Sequence, residues 1–156
     1  MLSQAEVAEC VWTQFEHANG ILASEGCMVD GVPVGVWKSY SEKGELISEG
    51  ARANDLPEGR WWFYDQGVVR EEVHYSLGVK HGIQVLHQDG VLTDSVVWSK
   101  GQKEGNAKSF RADGTLMLTT PYQQNVKEGK SVQFNLNEVP HGFRWYKNDR
   151  LVVSEV

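Results

Sequence analysis

Glycines recur through this 156-residue chain at intervals that few folds can use. Gly35, Gly59, Gly82, Gly105 and Gly129 stand 24, 23, 23 and 24 residues apart, and Gly20, Gly44, Gly67, Gly90 and Gly114 keep the same intervals. A period of this length marks a repeat array, in which each unit is too small to bury its own apolar face and stacks on the next to do so. A third column, four residues before each glycine of the first series, reads Gly31, Asp55, Gly78, Gly101 and Asn125. These residue types tolerate left-handed backbone, so the column predicts one left-handed turn per repeat.

Asn19, Lys43, Gln66, Asp89 and Asp113 immediately precede the second glycine series. Dipeptides of the Asn-Gly and Asp-Gly kind between apolar runs predict primed hairpin turns. The runs between turns, such as Gly59-Arg-Trp61-Trp-Phe-Tyr64, are short and rich in aromatic and β-branched residues, which is strand character. One β-hairpin per repeat follows, giving an all-β fold: an elongated antiparallel sheet of stacked hairpins, about 13 strands at roughly 4.8 Å each.

The array extends to both ends as a single domain over residues 1–156. Val11-Trp12-Thr-Gln-Phe15 mirrors Val36-Trp37-Lys-Ser-Tyr40, so the hairpins begin near residue 10. Residues 1–9 form an N-terminal cap in which Ser3 and Glu6 have the spacing of a capping box and start a short helical turn. After Gly129 the connection motif Asn137-Glu-Val-Pro-His-Gly142 arrives early, as if one repeat had lost most of its second strand. The hairpins then run to about residue 142, and residues 143–156 form a capping hairpin around Asn148-Asp149 with a polar outer surface.

The pattern Gly-x-Trp-x-x-Tyr-x-x-x-Gly-x-Leu, followed by an aromatic residue and Gly-x-x-x-Gly, resembles the MORN repeat in its bacterial variant form. The likeness is carried by the glycines and by Trp37, Tyr40, Trp61, Tyr64, Tyr75 and Tyr122, and it weakens at Gln84, Ala107 and Ser131, where the first aromatic is missing. It implies one elongated sheet of antiparallel hairpins. It also implies a binding role, as an antitoxin or immunity protein facing a cognate toxin protein, or as a scaffold module at membranes.

Charge supplies candidate contact residues. Residues 1–78 carry 13 acidic and 5 basic side chains, whereas residues 79–156 carry 8 acidic and 10 basic. An elongated array preserves that asymmetry in space, and its acidic half attracts basic partners and repels phosphate. Glu25, Glu49 and Glu72 share one repeat position, which changes to Ser95 and Thr119 later. Either they meet a cationic partner together or basic neighbours such as Lys38, Arg52 and Arg70 neutralise them on a solvated face. Trp12, Trp37 and Trp61 form a second column, with Phe15, Tyr40 and Tyr64 three positions on. These aromatics either anchor a partner or hold adjacent hairpins together. Residues three apart face opposite ways on a straight strand, so either both faces are partly buried or a bulge intervenes. The partner-binding candidates are therefore Glu25, Glu49, Glu72, Trp37, Trp61 and Tyr64.

Other functions find less support. The five histidines lack metalloprotease spacing and no phosphate loop or nucleophile elbow occurs, so neither an enzyme, a metal site nor a cofactor is expected. Dispersed basic residues and a net charge of -6 argue against nucleic acid. Lys100, Lys103, Lys108, Arg111, Lys127 and Lys130 form a modest basic cluster that would suit an anionic membrane surface, which is the alternative reading. The N-terminal residues lack a basic and apolar leader, so a cytoplasmic location is expected, with Cys10 and Cys27 as packed thiols. Pairing residue 16 with residue 21 would place the two cysteines opposite each other and make a cross-strand disulfide conceivable.

Overall fold

The computed structural model describes residues 9–155, and the helical turn expected at Ser3 to Glu6 lies outside them. Thirteen strands follow one another as an antiparallel meander in a single open sheet. They are β1 (Val11–Glu16), β2 (Leu22–Val29), β3 (Val32–Tyr40), β4 (Leu46–Ala53), β5 (Leu56–Asp65), β6 (Val68–Ser76), β7 (Val79–Gln88), β8 (Val91–Ser99), β10 (Gly105–Phe110), β11 (Leu116–Gln123), β13 (Gly129–Phe134), β14 (Pro140–Lys147) and β15 (Arg150–Glu155). Two short strands, β9 (Gln102–Lys103) and β12 (Val126–Lys127), pair with β8 and β11. Among the described residues no second layer covers the sheet. Among the described residues only Trp37, Trp61 and Val73 are buried hydrophobic residues, and the surface of 10407 Å² exceeds the roughly 7,900 Å² of a compact protein of this mass.

Turns explain the period. Hairpins β5–β6 and β7–β8 close through two-residue turns, Gln66-Gly67 and Asp89-Gly90, in which both residues have positive φ. That is the primed geometry whose twist matches the strands. The first, second, fifth and sixth hairpins close at Glu16↔Leu22, Tyr40↔Leu46, Phe110↔Leu116 and Phe134↔Pro140, one residue wider than Tyr64↔Val69 and His87↔Leu92. The 23-residue intervals thus span the two short-turn hairpins and the 24-residue intervals the wider ones. Asn19, Lys43 and Asp113 are not left-handed, contrary to the expectation of primed turns there. Asn19 and Asp113 instead accept the Ile21 and Thr115 amides on their side chains, which builds the turn without a left-handed residue before the glycine.

Between hairpins the expected left-handed column is present and is doubled. Asp30-Gly31, Asn54-Asp55, Leu77-Gly78, Lys100-Gly101, Gln124-Asn125 and Asn148-Asp149 all have positive φ at both residues. From the second such turn onward, the second residue donates its amide to a carbonyl one repeat back: Asp55 to Pro33, Gly78 to Pro57, Gly101 to Lys80, Asn125 to Lys103 and Asp149 to Lys127. These bonds stitch successive turns along one side of the sheet.

Both ends differ from expectation. The sixth hairpin keeps its second strand. Glu138, 24 residues beyond Gly114, takes the turn glycine's place at φ 57°, while the Asn135 side chain accepts the Asn137 and Val139 amides. The early Pro-His-Gly motif lies inside β14, and Asn148-Asp149 is a sixth inter-repeat turn. The expected final hairpin is present, β14 pairing with β15 around Asn148-Asp149, and its surface carries the exposed apolar side chains of Leu151, Val152 and Val153. At the other end Thr13 faces Gly26 as Trp37 faces Gly50, so Trp12 is displaced by one from the tryptophan column and lies on the other side of the sheet. Phe15 correspondingly pairs with Ser24 and stacks on Trp37. Cys10 and Cys27 form a disulfide with Cα atoms 5.5 Å apart, in place of the packed thiols expected. They are diagonal neighbours, because Cys27 faces Trp12.

Candidate binding face

Cross-strand partners share a face, and a continuous row can be followed across the sheet: Gln14, Glu25, Lys38, Glu49, Trp62 and Glu72, then Val85, Ser95 and Lys108. Glu25, Glu49 and Glu72 occupy every second strand and so lie about 10 Å apart. The Tyr40 hydroxyl donates to Glu25 at 2.7 Å and that of Tyr64 to Glu49 at 2.5 Å. Each clasp ties a strand to the preceding repeat. Burial, reinforced by the bonded carboxylate, pushes both tyrosines up to about 12. The Gln14 amide and the Tyr40 hydroxyl hold the Glu25 carboxyl below its ordinary value. At the third copy of the tyrosine position stands His87, whose buried Nδ1 has no partner among the described residues.

The carboxylates are partly neutralised on their own face. Lys38 lies 3.9 Å from Glu49, and Arg60, which covers Trp62, lies 3.1 Å from Glu72. Arg52, one of the expected neutralisers, instead pairs with Asp55 and lies over Trp61 on the opposite face. The glutamates keep access to solvent, with side chains 25% exposed at Glu49 and 28% at Glu72.

Of the six candidate residues, Glu25, Glu49, Glu72 and Tyr64 come together here, while Trp37 and Trp61 fall on the other face. They are 6% and 5% exposed, too little for a partner to grip. Each indole lies flat on a glycine of the preceding strand, and a Cβ on Gly26 or Gly50 would come within 2.4 or 2.3 Å of it. Each indole Nε1 donates to the neighbouring carbonyl of Cys27 or Ala51. Their role is to join hairpins. Trp61 and Tyr64 are on opposite sides as their spacing requires, and a bulge lies between Phe63 and Tyr64 as well. The aromatic residues that do flank the glutamates are Tyr40, Trp62 and Tyr64. Trp62 escaped the column reading, although two consecutive tryptophans in a strand must face opposite ways.

The basic cluster does not form one surface either. Lys103 sits between the rings of Trp98 and Tyr122 and Lys127 over Tyr146, on the tryptophan face. Lys108 and Lys130 lie on the glutamate face, Lys130 over Phe143. Arg111 is consumed at the hairpin turns, where it donates to the carbonyls of Leu116, Phe134 and Asn135. Lys100 stands in an inter-repeat turn.

Among the described residues, no group of three or more His, Cys, Asp or Glu side chains converges as a metal site. Residues 33–51 and 57–76 are similar to the family described as MORN repeat variant. These segments lie within the second and third hairpins, where the Trp-on-Gly packing and the Tyr-Glu clasps occur together. No curated protein matches the chain.

Proposed function

We propose that the chain is a non-enzymatic protein-binding module that neutralises a cognate basic toxin in the cytoplasm by covering its active cleft. The observation that carries this reading is the row of Glu25, Glu49 and Glu72 on one face with Tyr40, Trp62 and Tyr64 beside it. A cleft that handles nucleic acid or nucleotides is positive, and a row of carboxylates complements it. The ion pairs to Lys38 and Arg60 do not block this. Pairs so close to solvent stabilise the fold by only about 0–1 kcal/mol, so a partner's cations can take their place. Long-range attraction speeds encounter and the aromatic rings slow release. The toxin assignment itself rests on the resemblance to bacterial variant-repeat proteins. The disulfide pulls against the cytoplasmic location, since such bonds persist mainly in oxidising compartments, and a thiol-labelling assay on freshly lysed cells decides between the two.

The reading is tested by identifying the product of the neighbouring reading frame and measuring its association with the protein. Replacing Glu25, Glu49 and Glu72 together by Gln is expected to slow association by about tenfold at low salt and to flatten its salt dependence, with the fold intact. Unchanged association kinetics would refute the acidic face. Preferential binding of the parent protein to anionic vesicles would favour the membrane scaffold instead.

A further inference from the structure

A second row runs parallel to the glutamates on the same face, two residues along each strand and therefore about 7 Å away. It is made of the cross-strand pairs Trp12↔Cys27, Val36↔Ala51, Arg60↔His74 and Ile83↔Val97, one from each of the first four hairpins, with the register shifting at the junctions between them, where Cys27 faces Val34 and Ala51 faces Glu58. Large apolar side chains stand open here: Trp12 is 60% exposed, Val36 57% and Ile83 55%. The opposite face, by contrast, holds Trp37, Trp61 and Val73, the three buried hydrophobic residues among those described. An acidic stripe and an apolar stripe, the latter interrupted at Arg60 and His74, thus lie side by side and cross the strands together.

Building on the acidic-face reading, we propose that the partner element seated on these two rows is a basic amphipathic α-helix lying across the strands, its cations on the glutamates and its apolar stripe on Trp12, Val36 and Ile83. The spacing selects this element. Carboxylates about 10 Å apart match helix positions seven residues apart, at about 10.5 Å, which share one face. Extended-strand positions three apart span a similar distance but point to opposite sides, so a strand crossing the row could present only alternate cations. A helix is also wide enough, at about 10 Å, to cover both rows, and its charged and apolar stripes run side by side as these do.

The probe is a synthetic helix-forming peptide with arginine at every seventh position and leucines one and four residues after each, which on a helix lie to one side of the arginine stripe, titrated by fluorescence anisotropy. A scrambled peptide of the same composition is the control. The designed peptide is expected to bind at least about tenfold more tightly than the scrambled one. Val36→Asp and Ile83→Asp, both at open positions, are expected to weaken it about tenfold, and Val36→Ser to weaken it less. Circular dichroism and melting confirm that each variant is folded. Equal binding of the two peptides overturns the proposal, because only net charge is then being read. Full binding to the Asp variants together with loss in the triple Gln variant also overturns it, but leaves the acidic face standing. Full binding in the triple Gln variant removes both.

Discussion

The second and third hairpins and the last three share one backbone but are held together by different side chains. In the first region Trp37 and Trp61 lie on glycines, and Tyr40 and Tyr64 clasp glutamates of the repeat before. Further along, the tryptophan column becomes Gln84, Ala107 and Ser131, and no glycine faces it: Val73, Val96 and Thr120 stand where Gly26 and Gly50 stood. Adhesion moves to a ladder of lysines and rings, with Lys80 and Lys103 over Trp98, Lys103 over Tyr122 and Lys127 over Tyr146. Gln84 carries the buried row across the junction by bonding both Glu71 and Trp98. What does not change is the inter-repeat turn and its backbone hydrogen bond. The turns set the architecture, and the packing chemistry is interchangeable upon it.

The sharpest way to break this comparison is within the tryptophan column itself. Trp61→Ala is expected to cost about 3–5 kcal/mol, as for other buried aromatics, because an indole that fills the space above Gly50 leaves nothing behind. Gln84→Ala at the equivalent position removes hydrogen bonds and little volume, so a loss of about 1–2 kcal/mol is expected. Urea melts of the two variants measure the contrast. Equal losses would mean that the two regions are packed alike.

The turns that both regions share should be equally sensitive wherever they are altered. Gly78→Val forces a β-branched residue to φ 81° with its Cβ 3.1 Å from the Leu56 side chain, and a loss of about 1–3 kcal/mol is expected. Gly101→Val, at φ 79°, should lose a similar amount. Val79→Thr, next door but exposed, should stay within about 0.5 kcal/mol. Similar midpoints for Gly78→Val and Val79→Thr would show that the left-handed turns are not what holds the array in register.

A smaller effect separates the second region from the first. Lys103→Gln removes a cation held between Trp98 and Tyr122, and about 1 kcal/mol should be lost, with less salt dependence than an exposed ion pair. Lys43→Gln, in an exposed hairpin turn with no ring beside it, should be nearly neutral.

The parts of this fold that could be read from the chain are those in which backbone conformation restricts residue type. The glycine columns and the Gly31-to-Asn125 column are of that kind, and each residue in them has positive φ. Leu77, Lys100 and Gln124 are left-handed too, yet nothing in their chemistry announces it; the turn and its bond to the previous repeat impose it. Register was harder to read. The resemblance between the segments around Trp12 and Trp37 is out by one residue, and in a strand one residue exchanges the faces. The same limit divided the candidate site. Column membership brought Glu25, Glu49 and Glu72 together correctly, but which aromatics accompany them depends on side of sheet, and there Tyr40 and Trp62 take the places expected of Trp37 and Trp61.

The smallest expected effect is alkaline and belongs to the first region. Tyr40 and Tyr64 are raised to about 12 from an unfolded value of 10.0, by burial first and the bonded glutamate second. A group that binds its proton more tightly when folded contributes stability that is complete below the unfolded value and disappears as pH rises through the folded one. The window is therefore pH 10 to 12. Phenolate absorbance should show Tyr40 and Tyr64 titrating late in the native protein, and Tyr75, raised by burial and by Glu71, behaving in the same direction. Tyr40→Phe and Tyr64→Phe should each abolish one late component. Because both clasps lie near solvent, the accompanying loss of stability should be slight, visible as a lower urea midpoint in the parent and absent from the double Phe variant. An equal alkaline loss in that variant would place the sensitivity outside the two clasps.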